Sequence, residues 1–115
     1  RGLGDVYKRQ LSEVGFMVER AANGVDCVEM LKDRPAGYYS IILMDIQMPV
    51  LDGYNATINI RRMDDKAKAS IPIVAMTANA FAEDREKALS VGMNDHIAKP
   101  VDMSKLIPTI RKYIK

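Results

Sequence analysis

The chain has 115 residues, enough for one domain with a hydrophobic core and too few for two. Apolar residues make up 48% and charged residues 28%, which excludes a disordered chain, and no run reaches the roughly 18–20 apolar residues of a membrane span. Cys27 is the single cysteine, so an internal disulfide is excluded and a reducing, cytoplasmic setting is expected; a formal charge of +2 with scattered Lys and Arg excludes a nucleic-acid footprint.

Residues 1–10, RGLGDVYKRQ, show neither hydrophobic period. They back-translate, codon for codon, into the transposase adapter used in short-read sequencing libraries (CGT GGG CTC GGA GAT GTG TAT AAG AGA CAG). They are therefore read as a non-native segment, and residues 11–115 as the domain. Without Arg1, Asp5, Lys8 and Arg9 the 17 basic and 15 acidic residues become 14 and 14, so the basic pI says nothing about partners.

From Leu11 onward helix and strand signals alternate. Leu11 to Gly15 reads as the last turn of a helix closed by glycine. Phe16 to Ala21 reads as a strand, with Phe16, Val18 and Arg20 on one face. Asn23 can cap a helix on which Val25, Val28 and Leu31 recur every three residues, ending at Arg34-Pro35. Ser40 to Met44 is a short continuous apolar run, the pattern of a strand covered on both faces, and it stops at Asp45. A loop with Pro49 and Asp52-Gly53 leads to a helix over Tyr54 to Met63, and Asp64 to Ser70 reads as a polar connection. Pro72 to Met76 is a second buried strand ending in Thr77. Glu83 to Val91 is helical and closed by Gly92. Asp95 to Ala98 is a strand ending in Lys99-Pro100, and the last helix, Met103 to Tyr113, sets Leu106, Ile110 and Ile114 on one side. Such alternation predicts an α/β layer structure with a parallel sheet.

Parallel sheets bind ligands at the carboxyl ends of their strands. Three such ends carry Asp45, Thr77 and Lys99. A carboxylate, a hydroxyl and an ammonium suit phosphoryl chemistry: the carboxylate as nucleophile, the other two stabilising charge on the phosphoryl oxygens.

Asp45-Ile-Gln-Met-Pro-Val-Leu-Asp-Gly53 matches the D-x-x-M-P-x-x-D-G signature of response-regulator receiver domains. Pro72 to Ala78 and His96 to Pro100 resemble that family's fourth and fifth strand ends, in the right order, and the resemblance covers residues 11–115. The wording around Met76 to Phe81 and Gly92 to Pro100 is most similar to receivers of hybrid sensor histidine kinases. The resemblance implies a flavodoxin-like, doubly wound parallel sheet and a phosphorelay function. It assigns Asp45 as phospho-acceptor, Gln47 as a backbone-carbonyl ligand of Mg²⁺, and Thr77 as the hydroxyl that binds the phosphoryl group. Ala78 would leave room for that group, Lys99 would neutralise it, and Pro100 would follow a cis peptide. His96 falls at the switch position, although a half-buried histidine with a satisfied ring reads equally well. Gln47 and Asn79 fall where the family sets the rate of hydrolysis. The implied partner is a histidine kinase core or a histidine phosphotransfer domain, with no nucleic acid and no membrane contact by this domain.

One departure from the family's pattern bears on activity and fold. The family's first strand, central in its 2-1-3-4-5 order, ends in an acidic pair that holds the metal, and neither that strand nor the pair is found here. Mg²⁺ would keep Asp45, one carbonyl and water, so weak binding and impaired phosphorylation are expected. A central strand burying four large apolar side chains contributes about 6–12 kcal/mol, against a typical domain stability of about 5–15 kcal/mol, so the fragment is expected to fold poorly alone. Two rival readings remain. An aspartyl-nucleophile phosphatase of the haloacid dehalogenase kind would need an aspartate where Gln47 stands. A receiver-like module that is never phosphorylated would need only a docking surface. Asp52 reads as a turn residue, Cys27 as a core or boundary residue, and Glu83 to Lys87 as a solvated helix face.

Overall fold

A computed structural model describes residues 3–47, 50–78 and 82–114. Its described residues form a three-stranded parallel sheet in the order β1-β2-β3, with β1 at Ile42–Asp45, β2 at Ile73–Thr77 and β3 at Asp95–Ala98. The helices are α1 (Leu3–Glu13), α2 (Gly24–Asp33), α3 (Gly53–Arg61), α4 (Lys66–Ala69), α5 (Ala82–Val91) and α6 (Met103–Tyr113).

Side chains alternate faces along a strand, so a continuous apolar run fills two cores at once. Ile73 and Ala75 pack with Val28 and Leu31 of α2, Ala56 and Ile60 of α3 and Ala88 of α5. Val74, between them in sequence, packs on the other face with Leu11 of α1 and with Leu106 and Ile110 of α6. Helices on both faces of a parallel sheet make this a doubly wound, flavodoxin-like α/β fold, of which the described residues form three strands. Capping follows the local chemistry, with Asn23 Oδ1 accepting from Asp26 N at 2.9 Å and Asp52 Oδ1 from Asn55 N at 2.8 Å.

Three segments differ from expectation. Phe16 to Ala21 is not a strand. Phe16 and Val18 are half-buried against the Leu11–Val74 core while Met17 is fully exposed, so the alternation survives, and Arg20 is exposed with the outward residues. Alternation selects a face, but a strand also needs a neighbour for its ladder, and none pairs with this segment among the described residues. The polar stretch 64–70 contains α4, a single turn that Asp65 starts by accepting from Ala67 N and that buries Ala69. Helix α1 runs back to Leu3, through the segment expected to lack periodicity. Burial of Leu11 fixes its last turn, and adding residues to an existing turn costs far less than nucleating one.

The segment 16–21 is tied down by side chains instead. Tyr38 and Tyr39 both donate their hydroxyls to the Glu19 carboxylate at 2.7 Å, and the Arg34 guanidinium lies 4.7 Å from the Tyr38 ring centroid. The two hydroxyls hold the Glu19 carboxyl below its ordinary range, Tyr38 first. A carboxyl depressed in the folded state adds stability that is complete above its unfolded value and is lost as the pH falls. The melting-temperature gap between the native chain and Glu19→Gln is therefore expected to be open at neutral pH and to close as the pH drops below the ordinary value of 4.5. A gap that is constant with pH would exclude the ionised carboxylate as its source.

Cys27, on α2, is half-buried, and burial pushes its thiol up to about 11 from 9.0. The thiolate is the reactive form, and its smaller fraction is partly offset by its greater nucleophilicity, so Cys27 is expected to react with an aromatic disulfide at pH 8 about tenfold more slowly than an unperturbed thiol. Stopped-flow absorbance checks this, with full reactivity returning in denaturant.

Candidate functional site

β1 and β2 register Asp45 opposite Met76, and β2 and β3 register Thr77 opposite Ala98, so Asp45, Thr77 and Lys99 all lie at the carboxyl edge of the sheet. Asp45 and Lys99 meet directly. Lys99 Nζ donates to Asp45 Oδ2 at 2.7 Å, an ion pair whose side chains are 22% and 33% exposed respectively. The other carboxylate oxygen, Oδ1, accepts from the Gln47 amide at 3.0 Å. Lys99 is aimed by its own backbone, whose N–H donates to the Thr77 carbonyl at 2.7 Å. The Lys99–Pro100 peptide is cis.

Around this pair, Thr77 is buried and Ala78, beside it, is exposed. Asn79 lies outside the described residues. His96 is not at the strand end. It is half-buried inside β3 in register with Ala75, with its amide donating to Asp95 Oδ1 at 2.9 Å and its ring Nδ1 4.0 Å from that oxygen. Asp52 caps α3, as its turn reading anticipated, and Gly53 N closes the loop onto the Ile46 carbonyl at 3.0 Å. Gly53 fits because a Cβ there would meet the Asp45 carbonyl oxygen at 2.5 Å.

Beside the loop, the Lys87 ammonium lies 4.4 Å from the Tyr54 ring centroid, so a residue of the expected solvated face of α5 bridges to α3. Burial raises the Tyr54 hydroxyl above its ordinary range, with Asp84 and Asp52 adding to the shift. The isolated residue types Tyr54 and Lys87 gave no sign of this pairing, which only the packing of α3 on α5 creates.

Mg²⁺ prefers near-octahedral oxygen ligands, and carboxylates hold it best. The carboxylate available here is Asp45, already engaged on both oxygens, with the Gln47 carbonyl nearby in sequence. Among the described residues no three His, Cys, Asp or Glu side chains gather in a way that could hold a metal. Among the described residues, Asp45 and the Gln47 carbonyl are therefore the donors that could hold Mg²⁺ at this strand end, with water completing the shell.

A carboxylate positioned by an ammonium and a backbone amide, at the strand ends of a doubly wound sheet, can act as a nucleophile towards phosphorus. Comparison with known proteins bears on the family of the chain. Residues 3–111 match the family model described as the response regulator receiver domain. Hybrid signal transduction histidine kinase B of Dictyostelium discoideum is 40% identical over 95% of this chain, and a peroxide stress-activated histidine kinase of Schizosaccharomyces pombe is 35% identical over 92%. The chain spans only 6% and 5% of those proteins. The receiver domain of a Pseudomonas aeruginosa sensor histidine kinase, solved with magnesium coordinated in its active-site cleft, superposes with a TM-score of 0.82 at 38% identity, covering 96% of this chain and 86% of that one. The receiver domain of the Saccharomyces cerevisiae response regulator Ssk1, solved with the histidine phosphotransfer protein Ypd1, superposes with a TM-score of 0.86 at 30% identity, covering 96% and 79%. With the sheet, the strand-end pair and these matches together, the chain belongs to the response-regulator receiver domain family of two-component phosphorelays.

Proposed function

We propose that Asp45 accepts a phosphoryl group from a phosphohistidine. The observation that carries this reading is the 2.7 Å pairing of Asp45 Oδ2 with Lys99 Nζ at the carboxyl edge of the sheet. A carboxylate oxygen of Asp45 attacks phosphorus, an O–P bond forms as the N–P bond breaks, and the released imidazole nitrogen takes up a proton. Lys99 then neutralises a phosphoryl oxygen, and Thr77 donates its hydroxyl to another. Ala78 leaves room for the group, while Gln47 and Asn79 govern its loss to water. The product adds roughly −1.5 to −2 charges beside Lys99 if it behaves as other protein phosphates do. Thr77 and His96 respond by moving, which changes partner affinity on the face formed by α5, β3 and α6.

The donor in this reading is a kinase core or a histidine phosphotransfer domain, in keeping with the hybrid-kinase relative and the Ypd1-bound neighbour, and the compartment is the cytoplasm. Residues 1–10, whose back-translation matches a library adapter, are an adapter remnant with no part in the chemistry. With one carboxylate in the described site, phosphorylation of this chain is slow and its stability is low.

The test is incubation with acetyl phosphate and Mg²⁺ followed by intact-mass measurement. A slow gain of one phosphoryl mass is expected, and Asp45→Ala abolishes it. Labelling that persists in Asp45→Ala would refute the assignment. No labelling at any time would favour a receiver that works by docking alone.

A further inference from the structure

The loop after Asp45 has one seat that its signature residues do not supply. Gly24 is the first residue of α2 and is buried. A Cβ built on it would lie 2.2 Å from the Leu51 carbonyl oxygen and 3.0 Å from both the Leu51 carbonyl carbon and its Cβ. Ordinary carbon–oxygen contacts are about 3.3–3.6 Å, so the Leu51 carbonyl occupies the space a side chain would need. Gly15, Gly37 and Gly92 have φ of 101°, 89° and 106°, whereas Gly24 is not among the positive-φ glycines and is required for close approach alone.

The residue before Leu51 shows why the seat matters. Val50 has φ of 69°, a left-handed conformation that β-branched side chains avoid. Its side chain is 83% exposed, so its own packing does not hold it there. Strain of this kind persists only where the flanking chain is fixed. Leu51 lies directly against Gly24, and the next residue, Asp52, is held as the N-cap of α3. Beyond them Gly53 N bonds to Ile46 O, and Gln47 N bonds to Asp45 Oδ1.

We propose that Gly24 is a positioning residue for Asp45: the bare start of α2 seats Leu51 and thereby holds the loop whose Gln47 amide orients the carboxylate. The role in transfer rests on Asp45 being the phospho-acceptor; the seat itself does not. Gly24→Ala tests it, with Val25→Ala, one residue along and 40% exposed, as the control.

Amide hydrogen exchange reads the seat without any phosphorylation. In Gly24→Ala the amides of Gln47 and Gly53 are expected to exchange at least about tenfold faster while those of Ile42 and Asn94, at the opposite end of the sheet, are unchanged. Labelling of Asp45 by acetyl phosphate falls roughly 10–100-fold, as a displacement near 1 Å at a reacting group can produce. Val25→Ala changes neither. Should Gly24→Ala fail to fold, adding Val50→Gly, which removes the left-handed penalty and lets residue 51 shift, restores folding. Uniform acceleration of all four amides, no acceleration, or no recovery in the double variant overturns the inference. Local acceleration without labelling of any form, the native chain included, upholds the seat and counts against the phospho-acceptor reading instead.

Discussion

Replacing Lys99 by methionine is expected to slow phosphoryl transfer to Asp45 by roughly 10²–10³-fold, the cost of removing one preorganised charge-stabilising donor. The side chain keeps its length and loses its ammonium, so the change reports on charge. Because Lys99 and Asp45 are only 22% and 33% exposed, solvent and salt screen their interaction less than that of a surface pair. The same substitution leaves the partly buried Asp45 carboxylate, among the described residues, with the Gln47 amide as its remaining partner, which costs about 1–3 kcal/mol of stability. Time courses of intact mass at fixed acetyl phosphate measure the first effect, and urea melts followed by circular dichroism measure the second. A transfer rate within a factor of about three of the native chain would remove Lys99 from the mechanism, since an oxyanion-type donor is worth far more than that.

The largest stability effect is expected far from the site, at Arg61. Its guanidinium donates to the Gly92 carbonyl from Nε at 2.8 Å, to the Ala69 and Ile71 carbonyls from Nη1 at 2.7 Å each, and to Asn94 Oδ1 from Nη2 at 2.9 Å. Asn94 Oδ1 also accepts from Ile73 N at 2.9 Å, and the Tyr113 hydroxyl donates to the Asn94 carbonyl at 3.2 Å. One side chain therefore ties α3 to the entries of β2 and β3, and through Tyr113 to α6. The planar fork of arginine suits four fixed acceptors in a way lysine cannot. Arg61→Ala leaves several carbonyls without their donor and is expected to cost about 2–4 kcal/mol. For a domain of this size that is a fall of roughly 10–25 °C in melting temperature. Arg61→Lys should recover only a minor part, because an ammonium is a point donor. A fall of less than about 5 °C in Arg61→Ala would show that water replaces the fork at little cost.

Local chemistry was sufficient for much of the architecture. Continuous apolar runs at 41–44 and 72–76 dictated buried parallel strands, and the spacing of Val28 with Leu31 and of Leu106 with Ile110 dictated the inward faces of α2 and α6. Val25 continued the first spacing yet is 40% exposed, because the inward stripe of a short helix is narrower than its apolar pattern. Asp45 stood out because it ends a covered strand and opens the signature run to Gly53, with Thr77 and Lys99 at two further strand ends. Sequence signals of this kind are short-range: periodicity, caps and strand-end chemistry are all written within a turn or two.

Tertiary structure decided what depends on a neighbour distant in the chain. Phe16 to Ala21 has the alternation of a strand and is not one, since a ladder requires a second strand and none pairs there among the described residues. No local pattern marks Arg61; its role exists only because its fork meets carbonyls from two loops. Gly24 likewise acquires a role only because Leu51 rests on it. The sequence by itself marked Asp45, Thr77 and Lys99 as one strand-end set; only the folded chain brought Lys99 Nζ to 2.7 Å from Asp45 across 54 residues, because that distance is set by the register of three strands and the packing beneath them.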